Sequence, residues 1–254
     1  MPAQPASRSL WCFASACEAG PGRDHCEDVI RLDAELGLAV VADGVGGYQA
    51  GEVAARICCE TLHAALAPTH REAHNPPDPQ RLQVAVHAAH QAVLQRAWLD
   101  PTLRGMATTV VAVWLAPDRA VVAHVGDSRA YRLRQGQLTL LTRDHSRVQE
   151  ALDAGRLTPQ QARVWPHRHE ITRAIGVGLR VDIEIGRCDL QPGDTVLLCS
   201  DGLTDALPDE TLARLLRETG PLDQTIQQLV RAARQAGGSD DIAVVLAQRR
   251  PAPC

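Results

Sequence analysis

The chain has 254 residues, 45% of them hydrophobic and 22% charged, with a formal net charge of −4. A chain of this length can bury a full core without disulfides or a structural metal. The slight acidic excess, the lack of a Lys/Arg block and an aromatic content of 3% argue against nucleic acid or an anionic membrane as partner.

Strand-like segments come first, at 10–17, 29–32 and 36–42, separated by acidic turns. A helix over 52–66 sets Val53, Ile57, Cys58, Thr61, Leu62 and Ala65 on one face at period 3.6. Pro68, Pro76, Pro77 and Pro79 make 67–79 a surface loop, and a second helix over 81–99 turns Leu82, Val86, Ala89, Val93 and Ala97 inward. Strands at 107–115, 120–125, 130–134 and 138–141 then follow with short turns, the spacing of an antiparallel meander. Between 144 and 178 the pattern changes: helical pieces at 148–154 and 159–164 lie among His, Arg and Pro without an apolar stripe. This segment reads as a small excursion from the main body. Strands at 181–188 and 195–199, helices at 209–217 and 222–236 and a strand at 243–248 close the chain. No repeat or Pro/Gly/Ser-rich linker divides it, so one domain is expected over 8–249, with tails at 1–7 and 250–254. Many antiparallel strands with helices in blocks point to an α+β fold, helices covering two packed sheets.

The eight cysteines include no Cys-x-x-Cys pair, and Cys58 and Cys199 sit in apolar runs where a thiol packs as a small core group. The N-terminus has no apolar h-region and no stretch approaches 18 apolar residues. A cytoplasmic protein with reduced thiols and no membrane association is expected.

Two apolar runs stop on Asp-Gly, at Asp43-Gly44 and Asp201-Gly202. One such pair is an ordinary turn dipeptide. A buried strand ending in a carboxylate and a glycine also puts an acidic oxygen at a sheet edge, where backbone can approach a ligand closely. Further acids occur at Glu27-Asp28, Gly126-Asp127 and Asp240-Asp241. Carboxylates and carbonyls are the ligands of Mg²⁺ and Mn²⁺, so the set reads as a metal cluster. Arg23, in the glycine-containing stretch 20–28, offers a bidentate fork for a phosphate.

These residues fall into eight motifs in a fixed order. They are Arg23…Glu27-Asp28; Asp43-Gly44-Val45-Gly46-Gly47 with Gly51-Glu52; Thr108-Thr109; and His124-Val125-Gly126-Asp127-Ser128-Arg129. Asp144-His145-Ser146, Thr172-Arg173-Ala174, Ser200-Asp201-Gly202 and Ser239-Asp240-Asp241 complete the series. In this register the chain resembles the PPM family, the metal-dependent type 2C Ser/Thr protein phosphatases, in its bacterial form. The resemblance implies a four-layer α-β-β-α sandwich of two antiparallel sheets flanked by helices, with 144–178 as a flap beside the cleft. It implies two core Mn²⁺ or Mg²⁺ ions and a third, weaker one. Asp43 would bridge the core pair, the Gly44 carbonyl would ligate one of them, and Asp201 and Asp240 the second. Glu27 and Asp28 would ligate directly or through waters, and Asp127 would share the third position with Asp201.

The implied activity is hydrolysis of phosphoserine and phosphothreonine in proteins, opposing a partner Ser/Thr kinase in a bacterial signalling pathway, by a monomer. Arg23, Asp43 and Asp127 would carry catalysis, Arg23 also binding the substrate phosphate. An alternative is a catalytically weak or inactive domain of the same fold used as a binding or sensing module; a two-metal nuclease would need a basic groove that the composition lacks. The chain departs from the pattern at Cys26, where Asn is usual, at Glu18 for Asp, at Asp241 for Asn, and at Val45, where eukaryotic members carry a histidine. His145 and His167 are read as surface residues, His124 as a hydrogen-bonded core residue, Asp194 as a turn residue and Arg249-Arg250 as a solvated tail.

Overall fold

The computed structural model describes residues 10–45, 50–71, 76–218 and 220–249. Strands β1 (Trp11–Glu18), β2 (Val29–Asp33), β3 (Leu38–Ala42) and the short β4 (Gly44–Val45) precede helices α1 (Ala50–Arg71) and α2 (Pro79–Leu99). Strands β5 (Ala107–Thr108), β6 (Val110–Leu115), β7 (Arg119–Val125), β8 (Arg129–Arg134) and β9 (Gln137–Leu140) lead to the short helices α3 (Arg147–Asp153) and α4 (Pro159–Ala162). Then come β10 (Glu184–Asp189), β11 (Thr195–Cys199), α5 (Asp201–Thr204), α6 (Asp209–Arg217), α7 (Leu222–Gln235) and β12 (Ile242–Arg249).

The strands form two five-stranded antiparallel sheets, ordered β1-β12-β11-β8-β9 and β10-β7-β6-β3-β2, and a two-stranded β4-β5 pair. Because side chains alternate across a strand, each central strand supplies two cores. Val41, Val111, Val113 and Val122 of one sheet meet Val196, Leu198, Val245 and Ala247 of the other in a dry layer between them. Leu38, Val40, Ala112 and Trp114 point the opposite way, onto Ala55, Leu62, Val86 and Ala89 of α1 and α2. Leu197, Val244 and Leu246 likewise cover Leu212, Ile226 and Leu229 of α6 and α7. Burial on both faces explains why β3 and β6 read as unbroken apolar runs rather than alternating ones. The result is the expected four-layer sandwich. No helix among the described residues is long and apolar enough to cross a membrane.

Four expectations change, and a fifth, Asp194, holds with an added role. The first helix does not stop at residue 66 but continues to Arg71, because Ala64, Ala65, Leu66 and Ala67 are strong formers and Pro68 removes only one helical hydrogen bond. The strand expected over 107–115 breaks at Thr109, whose backbone N–H donates to the Asp43 carbonyl at 2.8 Å instead of continuing the ladder. His145 is not a surface residue: it is buried and stacks on His124, ring centroids 4.7 Å apart. Asp194 does close a turn, accepting from the Gln191 N–H, but it is buried and also pairs with Arg134 at 2.7 Å. Arg249 is the last residue of β12, opposite Trp11, rather than part of a tail; Arg250 lies outside the described residues. His124 is the hydrogen-bonded core residue that its apolar strand suggests, with Nε2 2.7 Å from the Arg143 carbonyl oxygen.

Leu198 lies fully buried between the sheets. Leu198→Ala should lower the free energy of unfolding by roughly 2–5 kcal/mol, read as a lower urea midpoint at unchanged slope; a loss below 0.5 kcal/mol would contradict the packing described.

Candidate active site

The ends of β3, β7 and β11 arrive at one edge of the sandwich, each followed by an acid. Asp43 follows β3, Asp127 sits between β7 and β8, and Asp201 opens α5 directly after β11. They border a cleft of about 880 Å³ that is also lined by Arg23, Glu27, Gly44, Val45 and Asp240. Every residue singled out for the site in the sequence lines this cleft except Asp28. That carboxyl is buried behind the floor and accepts from the Ser200 hydroxyl at 2.7 Å.

The Asp43 backbone is held from both sides. Its N–H donates to Thr109 Oγ1 at 3.1 Å, and its carbonyl accepts from Thr109 N–H and Thr108 Oγ1, both at 2.8 Å. Thr109 Oγ1 in turn lies 2.6 Å from Ser128 Oγ, next to Asp127. Gly126 completes this joint: its φ is +105°, and a Cβ there would stand 2.7 Å from the Thr109 side chain. Gly44 has a different constraint. A Cβ on it would lie 2.4 Å from the Gly51 carbonyl carbon, so the start of α1 packs backbone to backbone against the residue after Asp43.

The carboxyls crowd one another. Burial raises Asp43 well above the usual carboxylate range, and repulsion from Asp28, Asp201 and Asp127 adds to it. Asp127 is raised in the same way by burial, Asp201 and Asp144. Burial pushes Asp28 up to about 7 against the stabilising Ser200 hydroxyl, and burial with Asp205 and Asp240 pushes Asp201 up to about 6. Asp43 and Asp201 each bear on the other's protonation across the cleft floor. Hard oxygen donors at this density, too close to ionise together, fit Mg²⁺ or Mn²⁺.

Opposite this group, Asp241 fastens the loop between β1 and β2. It accepts from the backbone N–H of Gly20 and of Glu27, both at 2.7 Å, and from Arg23 Nη1 at 3.0 Å. Arg23 Nη2 reaches Asp240 at 2.7 Å. The guanidinium is therefore fixed at the cleft rim with part of its donor fork uncommitted.

Four contributors lacked an assigned role in the sequence. Thr109 stood in the Thr108-Thr109 motif with no role of its own. Asp241 stood as a departure from the motif, and its loop contacts are long-range. Asp205 and His169 pair at 2.8 Å beside Asp201, and both line the cleft. Asp205 lies four residues after Asp201 on one helical face, a spacing that could have flagged it. His169 comes from the 144–178 segment, where no periodicity exists to place it. A Ser146–Ile171 bridge closes that segment on itself, and a Thr108–Ile175 bridge ties it to the body. His167 pairs with Glu170 and stays exposed.

Comparison with known proteins agrees with this architecture. The serine/threonine protein phosphatase PstP of Mycobacterium tuberculosis is 37% identical over 237 residues, covering 92% of this chain. This chain spans only 44% of that protein's length. The serine/threonine phosphatase stp of Listeria innocua is 33% identical over 91% of this chain and 93% of its own length. The solved catalytic domain of PstP in complex with two manganese ions superposes with a TM-score of 0.82 at 35% identity, covering 94% of this chain and 97% of that one. The family described as Protein phosphatase 2C matches residues 18–247, nearly the whole sandwich with its cleft, and the chain belongs to that family.

Proposed function

We propose that the chain hydrolyses phosphoserine and phosphothreonine in proteins at a dinuclear Mn²⁺ or Mg²⁺ site. The observation that carries this reading is the meeting of Asp43, Asp127, Asp201 and Asp240 with Arg23 in one cleft. The Protein phosphatase 2C family match and the manganese complex of PstP support it. A non-catalytic binding module has no observation in its favour, since the whole acidic set lies at the cleft or, for Asp28, directly behind it.

Asp43, the Gly44 carbonyl, Asp201 and Asp240 would hold the core pair, with Glu27 and Asp28 behind them and Asp127 with Asp201 at a third position. Bound cations supply Lewis acidity and an activated water for in-line attack on phosphorus. Arg23 receives the phosphate: its fork, anchored by Asp240 and Asp241, aims the remaining N–H groups at the equatorial oxygens. Thr108 and Thr109 keep Asp43 from turning away, and Val45 gives the cleft wall no proton donor. Asp127, at the cleft, would orient a water toward the leaving oxygen. We further propose a domain over 8–249 with 144–178 as its flap. Phosphorylated proteins are the substrates, a Ser/Thr kinase is the opposing partner, and a monomer in the cytoplasm is the working form.

Asp43→Asn should fold normally and lose nearly all turnover, because the amide keeps the shape of the carboxylate without the charge that would hold cations. Retention of more than about a tenth of wild-type rate at saturating Mn²⁺ (about 1.4 kcal/mol of barrier) would remove Asp43 from that role.

The raised carboxyls also set a pH dependence. With metal removed, the folded state binds more protons than the unfolded one, so this stabilisation is full below about pH 4 and is lost as pH rises through about 6–7. His145, lowered to about 4 by burial, works in the opposite sense over part of that range. The increment in thermal midpoint on adding Mn²⁺ to chelator-treated protein cancels the His145 contribution. That increment should be small at pH 5 and grow toward pH 8; a flat or falling increment would contradict metal binding by these acids.

Asp127 separates a turn from a catalytic group. Asp127→Ala should fold and keep the core metals yet lose most turnover. The loss should be larger on a phosphopeptide, whose alkoxide leaving group needs a proton, than on p-nitrophenyl phosphate. Equal losses would remove the leaving-group role, and no loss on either would return Asp127 to the turn.

A further inference from the structure

We infer that Cys17 and Cys26 form a dithiol modification site. A small hydroperoxide converts it to an intramolecular disulfide that braces the loop carrying Arg23 and leading into Glu27 and Asp28. Their sulfurs stand 2.7 Å apart, one at the end of β1 and the other on the loop before β2. Cys17 is exposed, so an oxidant in solution reaches it, while Cys26 is half-buried behind it. Cys17 Sγ also contacts the Asp28 carbonyl oxygen at 3.3 Å, which seats it against the same loop. Cys58, Cys59, Cys188 and Cys199 are buried, away from an oxidant in solution. Cys12 lies five residues before Cys17 on the same strand, and so on its opposite face. A disulfide bond of about 2.04 Å needs only a small approach from this geometry.

The chemistry balances with hydrogen peroxide as the two-electron oxidant. The Cys17 sulfur attacks one peroxide oxygen, the O–O bond breaks and one water leaves, giving a sulfenic acid. The Cys26 sulfur then attacks the Cys17 sulfur, the S–O bond breaks, and the hydroxyl departs as a second water with the Cys26 proton. Two thiols are oxidised, one peroxide is reduced to two waters, and a dithiol reductant reverses the change. The loop is already clasped by Asp241 through the Gly20 and Glu27 N–H groups. The bond therefore adds a covalent tie to a segment held in its working position.

The test uses the full chain, treated with hydrogen peroxide, alkylated and digested with trypsin without reduction. A linked pair of fragments 9–23 and 24–31 should appear, vanish on dithiothreitol treatment, and be absent from Cys17→Ser. Closing so short a loop should also raise the thermal midpoint on the order of 5 °C. Linkage that persists in Cys17→Ser, sulfinic acid on either cysteine without linkage, or a lowered midpoint on oxidation would each overturn the inference. None of these readouts depends on catalysis, so failure here and failure of the phosphatase reading are distinguishable.

Discussion

Crowded carboxyls that repel one another are the constraint around which the rest of this molecule is arranged. Asp28 and Asp127 are buried and Asp43 and Asp201 half-buried at the cleft, and lost hydration raises each before its neighbours are counted. Such a group would relax apart on a soft support. It holds here because each acid follows or backs a strand of a close-packed sandwich, and the packing of Val41, Val111, Leu198 and Val245 fixes the spacing. The packed sheets thus hold together acids whose crowding bound cations would offset.

The supports around the acids follow from that need. Thr109 gives up its place in the β6 ladder to bind Asp43 by both backbone and hydroxyl, and Ser128 carries the tie on to the Asp127 turn. Gly44 and Gly51 allow α1 to start in backbone contact with the residue after Asp43, where any side chain would push the helix outward. Arg23 pairs with Asp241 on the far wall, so the cleft is not uniformly negative along its rim.

Much of this was legible in the sequence, for identifiable reasons. The strands and helices showed because both sheet faces are covered, which makes β3, β6 and β12 continuous apolar runs with sharp ends. The acids stood out because they terminate those runs. What stayed hidden was long-range or aperiodic. Nothing local marks Asp241 as the acceptor for Gly20, 221 residues away. The burial of His145 depends on its stacking against His124, and His169 reaches the cleft from a segment whose course no periodicity sets. Thr109 was read as strand because its apolar flanks continue; the break is decided by hydrogen bonding with Asp43, which an isolated segment cannot reveal.

The clasp made by Asp241 has a consequence for how the molecule is made. The loop with Arg23 emerges from the ribosome early, whereas its acceptor and the β12 partner of β1 are among the last of the described residues to emerge. At about 5–20 residues per second, the 221 residues between Gly20 and Asp241 separate the two by roughly 10–40 s. Throughout that interval β1 has no neighbour in its sheet and the Arg23 loop lacks its Asp241 clasp. The half-made chain is thus a nascent polypeptide with an open sheet edge and no competent cleft. Arrival of β12 with Asp241 therefore covers the edge of β1 and fastens the Arg23 loop in one event.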